Sequence, residues 1–162
     1  MWGFREIIMP GAFDDVLEDD VRGLFNHDPN FILGRSKAGT LSLSVDETGL
    51  KYDITAPDNP TIRDLVIAPL KRGDITQSSF AFKIAHNGDE WYENDDGVII
   101  REIHKISRLY DVSPVTYPAY QEASSTARSL EAWKEARDSG TIAKAVSQKA
   151  ARERFLSLIS AK

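Results

Sequence analysis

None of the chain's 162 residues is cysteine. That excludes disulfide staples, thiolate metal sites and cysteine nucleophiles together, and it fits a reducing compartment. Basic runs are also missing: 20 Lys and Arg stand against 25 Asp and Glu, a formal charge of −5. Nothing therefore offers a phosphate backbone a continuous counter-charge, and direct binding of nucleic acid is not expected. No apolar run approaches the ~20 residues of a membrane helix, and the amino terminus lacks the charged-then-apolar order of a secretory signal. Neither a membrane nor export is expected. Histidine is scarce, with only His27, His86 and His104, so few side chains can act as a base near neutral pH. Covalent chemistry, if any, falls to a hydroxyl or a carboxylate.

What is present reads as one ordinary domain, 41% hydrophobic, enough for a single core. From Trp2 to about Val115, clusters of Gly, Pro and Asn/Asp separate short apolar runs, the rhythm of strands. Leu41, Leu43 and Val45 alternate with hydroxyl residues, Asp46 to Gly49 makes a turn, and Leu50 to Ile54 returns, predicting a hairpin. Helices are expected from Gly11 to about Leu24 and from Pro60 to Lys71. In the second, Thr61 is a candidate cap, Ile62, Leu65, Val66 and Leu70 fall at helical spacing, and Gly73 closes it. Further strands are expected at Ser78–Ile84, around Val98–Ile106 and at Tyr110–Thr116. Residues 1–120 thus form a strand-rich domain. Residues 121–162 change character to a polar linker and a tail rich in Ala, Lys, Arg and Glu. Leu130, Trp133 and Ala136, then Ile142, Ala145, Val146, Phe155, Leu158 and Ile159, predict two amphipathic helices on either side of Gly140. They would pack on the domain, bind a partner or self-associate into a homodimer or higher oligomer.

Among candidate site residues, His27 lies in Phe25-Asn26-His27-Asp28-Pro29, at the end of an apolar approach, where functional side chains concentrate. His86 lies in the turn Ala85-His86-Asn87-Gly88, and reads as solvated. His104, between Ile103 and Lys105, has no assigned face. In Gln77-Ser78-Ser79-Phe80-Ala81-Phe82, strand alternation puts Phe80 and Phe82 on one face and Ser79 with Ala81 on the other. A nucleophilic serine needs a base, a group that orients the base and donors for the oxyanion. Nothing in the Ser79 segment alone supplies these.

Taken together and in order, several segments closely resemble the prohead proteases of tailed phages. They are Phe4 to Phe13, Phe25-Asn26-His27-Asp28, Leu33-Gly34-Arg35 with Gly39-Thr40-Leu41, Ser79-Phe80-Ala81-Phe82, and Leu109-Tyr110-Asp111-Val112-Ser113-Pro114 running on to Tyr120. The resemblance spans residues 4 to about 120. It implies a catalytic pair of His27 and Ser79 and a serine endopeptidase without metal or organic cofactor. Its substrates would be capsid-assembly proteins, namely scaffold or an arm of the major capsid protein, and the protease itself, cut inside the prohead in the bacterial cytoplasm. The implied fold is mainly β with helices, an antiparallel β-barrel of the herpesvirus capsid-protease type with a helical C-terminal tail. The third catalytic member is left between Asp111, favoured because a carboxylate orients an imidazole and stabilises its cation, and His104, with Glu102 behind them. Relatives usually carry a strand ahead of the Gly-Phe-Arg-Glu segment, and often glycine where Ala81 stands. Two alternatives remain: an inactive scaffolding component of the capsid, and an esterase, which the absence of a Gly-x-Ser-x-Gly elbow disfavours.

Overall fold

The computed structural model describes residues 4–117 and 123–140, and the chain divides into two units, Met1–Ala119 and Tyr120–Lys162. The first unit runs β1 (Phe4–Ile8), a 3-10 turn (Asp14–Val16), β2 (Arg22–Phe25), β3 (Asp28–Arg35), β4 (Leu41–Asp46) and β5 (Gly49–Ile54). Then come α1 (Pro60–Ile62), a π turn (Arg63–Ile67), α2 (Ala68–Arg72), β6 (Gln77–Ile84), β7 (Asp89–Glu93), β8 (Ile99–Ile103) and β9 (Ile106–Val115). The second unit contributes α3 (Ala123–Asp138), after which Gly140 takes a left-handed conformation. The helix expected beyond Gly140 lies outside the described residues.

The strands form three sheets, ordered β1-β8-β7, β3-β2-β9-β6 and β4-β5. This is a mainly β, α+β architecture, but among the described residues no sheet closes into a barrel. Two features depart from the expected antiparallel barrel: β1 runs parallel to β8 and β2 parallel to β9, and β4-β5 stands as a separate ribbon. Among the described residues, no ladder of hydrogen bonds therefore runs continuously around the strands.

The helix expected over Gly11 to Leu24 is also corrected. Only Asp14–Val16 winds, as a 3-10 turn with no side-chain cap. Residues 22–25 are drawn into the sheet instead, where Gly23 and Leu24 are buried between β3 and β9. The 60–72 helix forms, but its cap is Asn59, whose Oδ1 accepts from Ile62 N at 3.0 Å, rather than Thr61. Gly73 ends it at φ 82°, a left-handed value that only glycine adopts without strain.

The main core gathers Ala12, Phe13, Val16, Val21, Leu41, Ile103, Ile106, Leu109 and Val112, with Phe80 and Phe82 against it. Each such large side chain removed from water is worth ~1.5–3 kcal/mol. This fixes which face of β6 and β9 looks inward. The Phe80/Phe82 side meets the core, so Ser79 and Ala81 project from the opposite face.

Candidate active site

Asp111 follows Leu109 by two residues, so an unbroken strand would turn both toward the core. A bulge prevents this. Phe82 pairs with Leu109 but Ala81 pairs with Asp111, leaving Tyr110 as the extra residue in β9. Leu109 and Val112 stay in the core, while Asp111 and Ser113 are turned to the face that carries Ser79. Bulges next to active sites commonly re-aim a side chain in this way.

His27 reaches this face from a tight hairpin. Phe25 pairs with Asp28 across the two-residue turn Asn26-His27, and both turn residues have positive φ, 54° and 57°, as a type I′ turn demands. Left-handed backbone is uncommon for histidine and requires support from its surroundings. Asn26 provides it: its backbone N–H donates to Pro114 O at 3.1 Å, its Oδ1 accepts from Thr116 N at 2.8 Å, and its Nδ2 lies 3.4 Å from Thr116 Oγ1. Asp28 steadies the far side by accepting from Asn30 N at 2.8 Å. Pro29 sits in β3, at the edge of its sheet, where a missing backbone donor costs little.

Held this way, the His27 Nδ1 lies 2.6 Å from Asp111 Oδ1. Both side chains are largely withdrawn from water, 6% and 11% exposed. A carboxylate facing Nδ1 selects the neutral tautomer with its proton on Nδ1 and leaves Nε2 as the basic nitrogen. That Nε2 is buried and has no hydrogen-bond partner among the described residues. Ser113, two residues beyond Asp111, donates its hydroxyl to Asp111 Oδ1 at 2.9 Å and stands 3.5 Å from His27 Nδ1.

Ser79 lies on the neighbouring strand, directly opposite Ser113 in the β6–β9 ladder and half-buried. The structure joins His27 to Asp111 by a hydrogen bond, but among the described residues none links Ser79 to His27. Next to Ser79, the Ser78 hydroxyl donates to Ser113 O at 3.2 Å, and the Tyr52 hydroxyl lies 2.7 Å from Ser78 Oγ, tying β5 to the start of β6. Burial pushes the Tyr52 phenol above its ordinary range, and the hydrogen bond with Ser78 opposes the shift.

The other candidates lie elsewhere. His104 is 45% exposed and pairs with Glu102 at 3.4 Å, and Glu102 also accepts from the Tyr92 hydroxyl. His86 is exposed in its turn. Outside those candidates, Arg101 is held by Glu6 and Asp89, and Arg108 leans over Tyr110 beside the site. A cleft of about 360 Å³ adjoins the site, lined by Arg22, Leu24, Ile32, Arg108, Tyr110 and Asp111 among others. Among the described residues no group of His, Asp and Glu is arranged to hold a metal ion, and no helix is long and apolar enough to cross a membrane. Two contributors escaped sequence reasoning. Ser113 was within reach, since it shares a strand face with Asp111 at spacing two, whereas Asn26 is explained only by the turn it anchors.

A family model described as Caudovirus prohead serine protease matches residues 1–136. No curated protein and no solved structure matches the chain.

Proposed function

Because the chain belongs to the caudovirus prohead serine protease family, we propose that it is an endopeptidase in which Ser79 is the nucleophile, His27 the base and Asp111 the residue that orients His27. The observation that carries this assignment is the buried His27–Asp111 contact at 2.6 Å, on the sheet face that also bears Ser79. In this reading His27 Nε2 takes the proton of Ser79 Oγ as the oxygen attacks the scissile carbonyl carbon, and the proton then passes to the leaving amine. Water hydrolyses the resulting acyl-enzyme by the same route, and the buried carboxylate stabilises the imidazolium formed in each half. His104 has no part, being exposed and paired with Glu102. The catalytic domain is residues 1–120 with the tail appended. Its substrates are capsid-assembly proteins, scaffold or the arm of the major capsid protein, and the enzyme itself, cleaved in the prohead within the host cytoplasm.

A fluorophosphonate probe tests this. The wild type is expected to form one covalent adduct, mapped by mass spectrometry to Ser79. Ser79→Ala and His27→Ala should take no label while keeping the wild-type circular dichroism spectrum. Labelling that persists in Ser79→Ala would sink the assignment. The second reading, an inactive scaffolding component, draws on the missing hydrogen bond between Ser79 and His27, and it predicts no adduct on the wild type at all.

A further inference from the structure

We infer that Ser113 is a positioning residue of this site, its hydroxyl holding the Asp111 carboxylate in the pose that orients His27; the inference rests on the roles proposed above for Ser79, His27 and Asp111.

A buried carboxylate is held by the hydrogen bonds it accepts, and it loses them at a high cost. As whole residues Asp111 is 8% exposed and Ser113 has no exposure at all, so little water reaches the pair. One carboxylate oxygen gathers both donors: His27 Nδ1 at 2.6 Å and Ser113 Oγ at 2.9 Å meet at Oδ1. The hydroxyl has a single proton. Once that proton is committed to Asp111, the carboxylate cannot swing away from the imidazole without breaking a second hydrogen bond. The 3.5 Å separation of Ser113 Oγ from His27 Nδ1 closes the cluster on its third side.

Register gives the cluster its direction. Asp111 and Ser113 are two apart on β9 and share a face, and Ser113 is the ladder partner of Ser79. Directly opposed residues in an antiparallel pair bring their Cβ atoms to about 5 Å. Ser113 therefore stands across from Ser79, on the strand face that also carries Asp111. Its burial excludes Ser113 from attacking a substrate itself. Its effect passes through Asp111 and His27.

The test measures fluorophosphonate labelling rates on the full chain, together with the downfield proton resonance of the His27 Nδ1–H. Ser113→Ala is expected to label about 10- to 100-fold more slowly than wild type, the scale of loss when a reacting group is slightly misplaced. The same substitution should add no further loss in an Asp111→Ala background, because it acts through the carboxylate. The Nδ1–H resonance should move in Ser113→Ala, which a hydroxyl serving only its own burial would not cause. Should Ser113→Ala fail to fold, Ser113→Cys retains a weak donor of similar shape and is expected to label several-fold more slowly, with the resonance displaced in the same sense. Labelling at the wild-type rate, an unmoved resonance, or an equal loss with and without Asp111 each overturns the inference. A wild type that takes no label overturns the proposed function and the positioning role with it. That result is distinct from failure of the inference alone, in which wild type labels and Ser113→Ala keeps pace.

Discussion

Changing Asp111 to Asn preserves the size of the side chain but removes the charge that faces His27 Nδ1. The amide no longer stabilises an imidazolium, and its NH2 group favours the tautomer that leaves Nε2 protonated. By the proposed mechanism, Asp111→Asn should slow labelling of Ser79 by about 10³- to 10⁴-fold, with circular dichroism unchanged. His104→Ala, which removes an exposed ring paired with Glu102, should stay within about twofold of wild type, a solvated-surface effect. A large loss in His104→Ala with little loss in Asp111→Asn would reverse the assignment of the third member. Asp20 offers a separate test, of stability against pH. The Arg35 guanidinium hydrogen-bonded to its carboxylate lowers its pKa to about 2, against ~3.9 in an unfolded chain. A depressed folded pKa contributes stability that is present above the unfolded value and is lost as pH falls through the folded one. The difference in urea midpoint between wild type and Asp20→Asn should therefore be greatest above about pH 5 and shrink steadily as pH falls toward 2. A constant difference across that range would mean the ion pair does not carry the effect.

At the scale of elements, the hairpin that presents His27 depends on Asn26 twice, for its left-handed backbone and for its side-chain bond to Thr116 N. Asn26→Ala loses both and should cost about 1–2 kcal/mol in urea denaturation; Asn26→Gly keeps the backbone freedom and should cost less. If both lost the same amount, the left-handed conformation would not matter. Gly34 and Gly23 are paired across β2 and β3, and a methyl group on each meets a different obstacle. At Gly34 it would lie 2.6 Å from the backbone oxygen of Thr40, and at Gly23 2.6 Å from the side-chain tip of Ile54. Gly34→Ala should destabilise by about 1–3 kcal/mol because a backbone carbonyl must move, and Gly23→Ala by less because a side chain can turn away. The same elements mark how far the sequence could be read. The β4–β5 hairpin and the Gly73 stop were legible because alternation and a left-handed glycine are local signals. Residues 22–25 were not, since their strand exists only through pairing with β3 and β9. Nor was the Tyr110 bulge, which local pattern does not announce. Ser79's face followed from alternation with Phe80 and Phe82, while the partner of His27 was left open between Asp111, which was favoured, and His104, because 84 positions separate His27 from Asp111 and no periodicity reaches that far.

Across the whole first unit, stability is distributed unevenly, and the sheet order says how. Strand β9 is bonded on both sides, to β2 and to β6. Its Ile106, Leu109, Val112 and Ser113 have no exposed surface. It also carries both Asp111 and Ser113, so the strand that anchors the core is the one that holds the carboxylate proposed to orient His27. The β4–β5 ribbon, by contrast, bonds only to itself within its sheet, and Val45 near its turn is 38% exposed. A two-stranded ribbon is marginal alone and relies on what it packs against. Opening the ribbon breaks one ladder and withdraws Leu41 from the core, whereas opening β9 breaks two ladders and uncovers Ile106, Leu109 and Val112 together, which approaches global unfolding. Native-state hydrogen exchange should therefore show the slowest amides in β9, between Leu109 and Val115, and amides of β4 and β5 exchanging at least about tenfold faster through local opening. If the ribbon instead proved as protected as β9, its contacts through Leu41, Leu43, Tyr52 and Ile54 with the main core would have to bind it into the same cooperative unit. In that case the Tyr52–Ser78 bond would couple the ribbon to the strand that carries Ser79, and Tyr52→Phe would raise exchange in both β5 and β6.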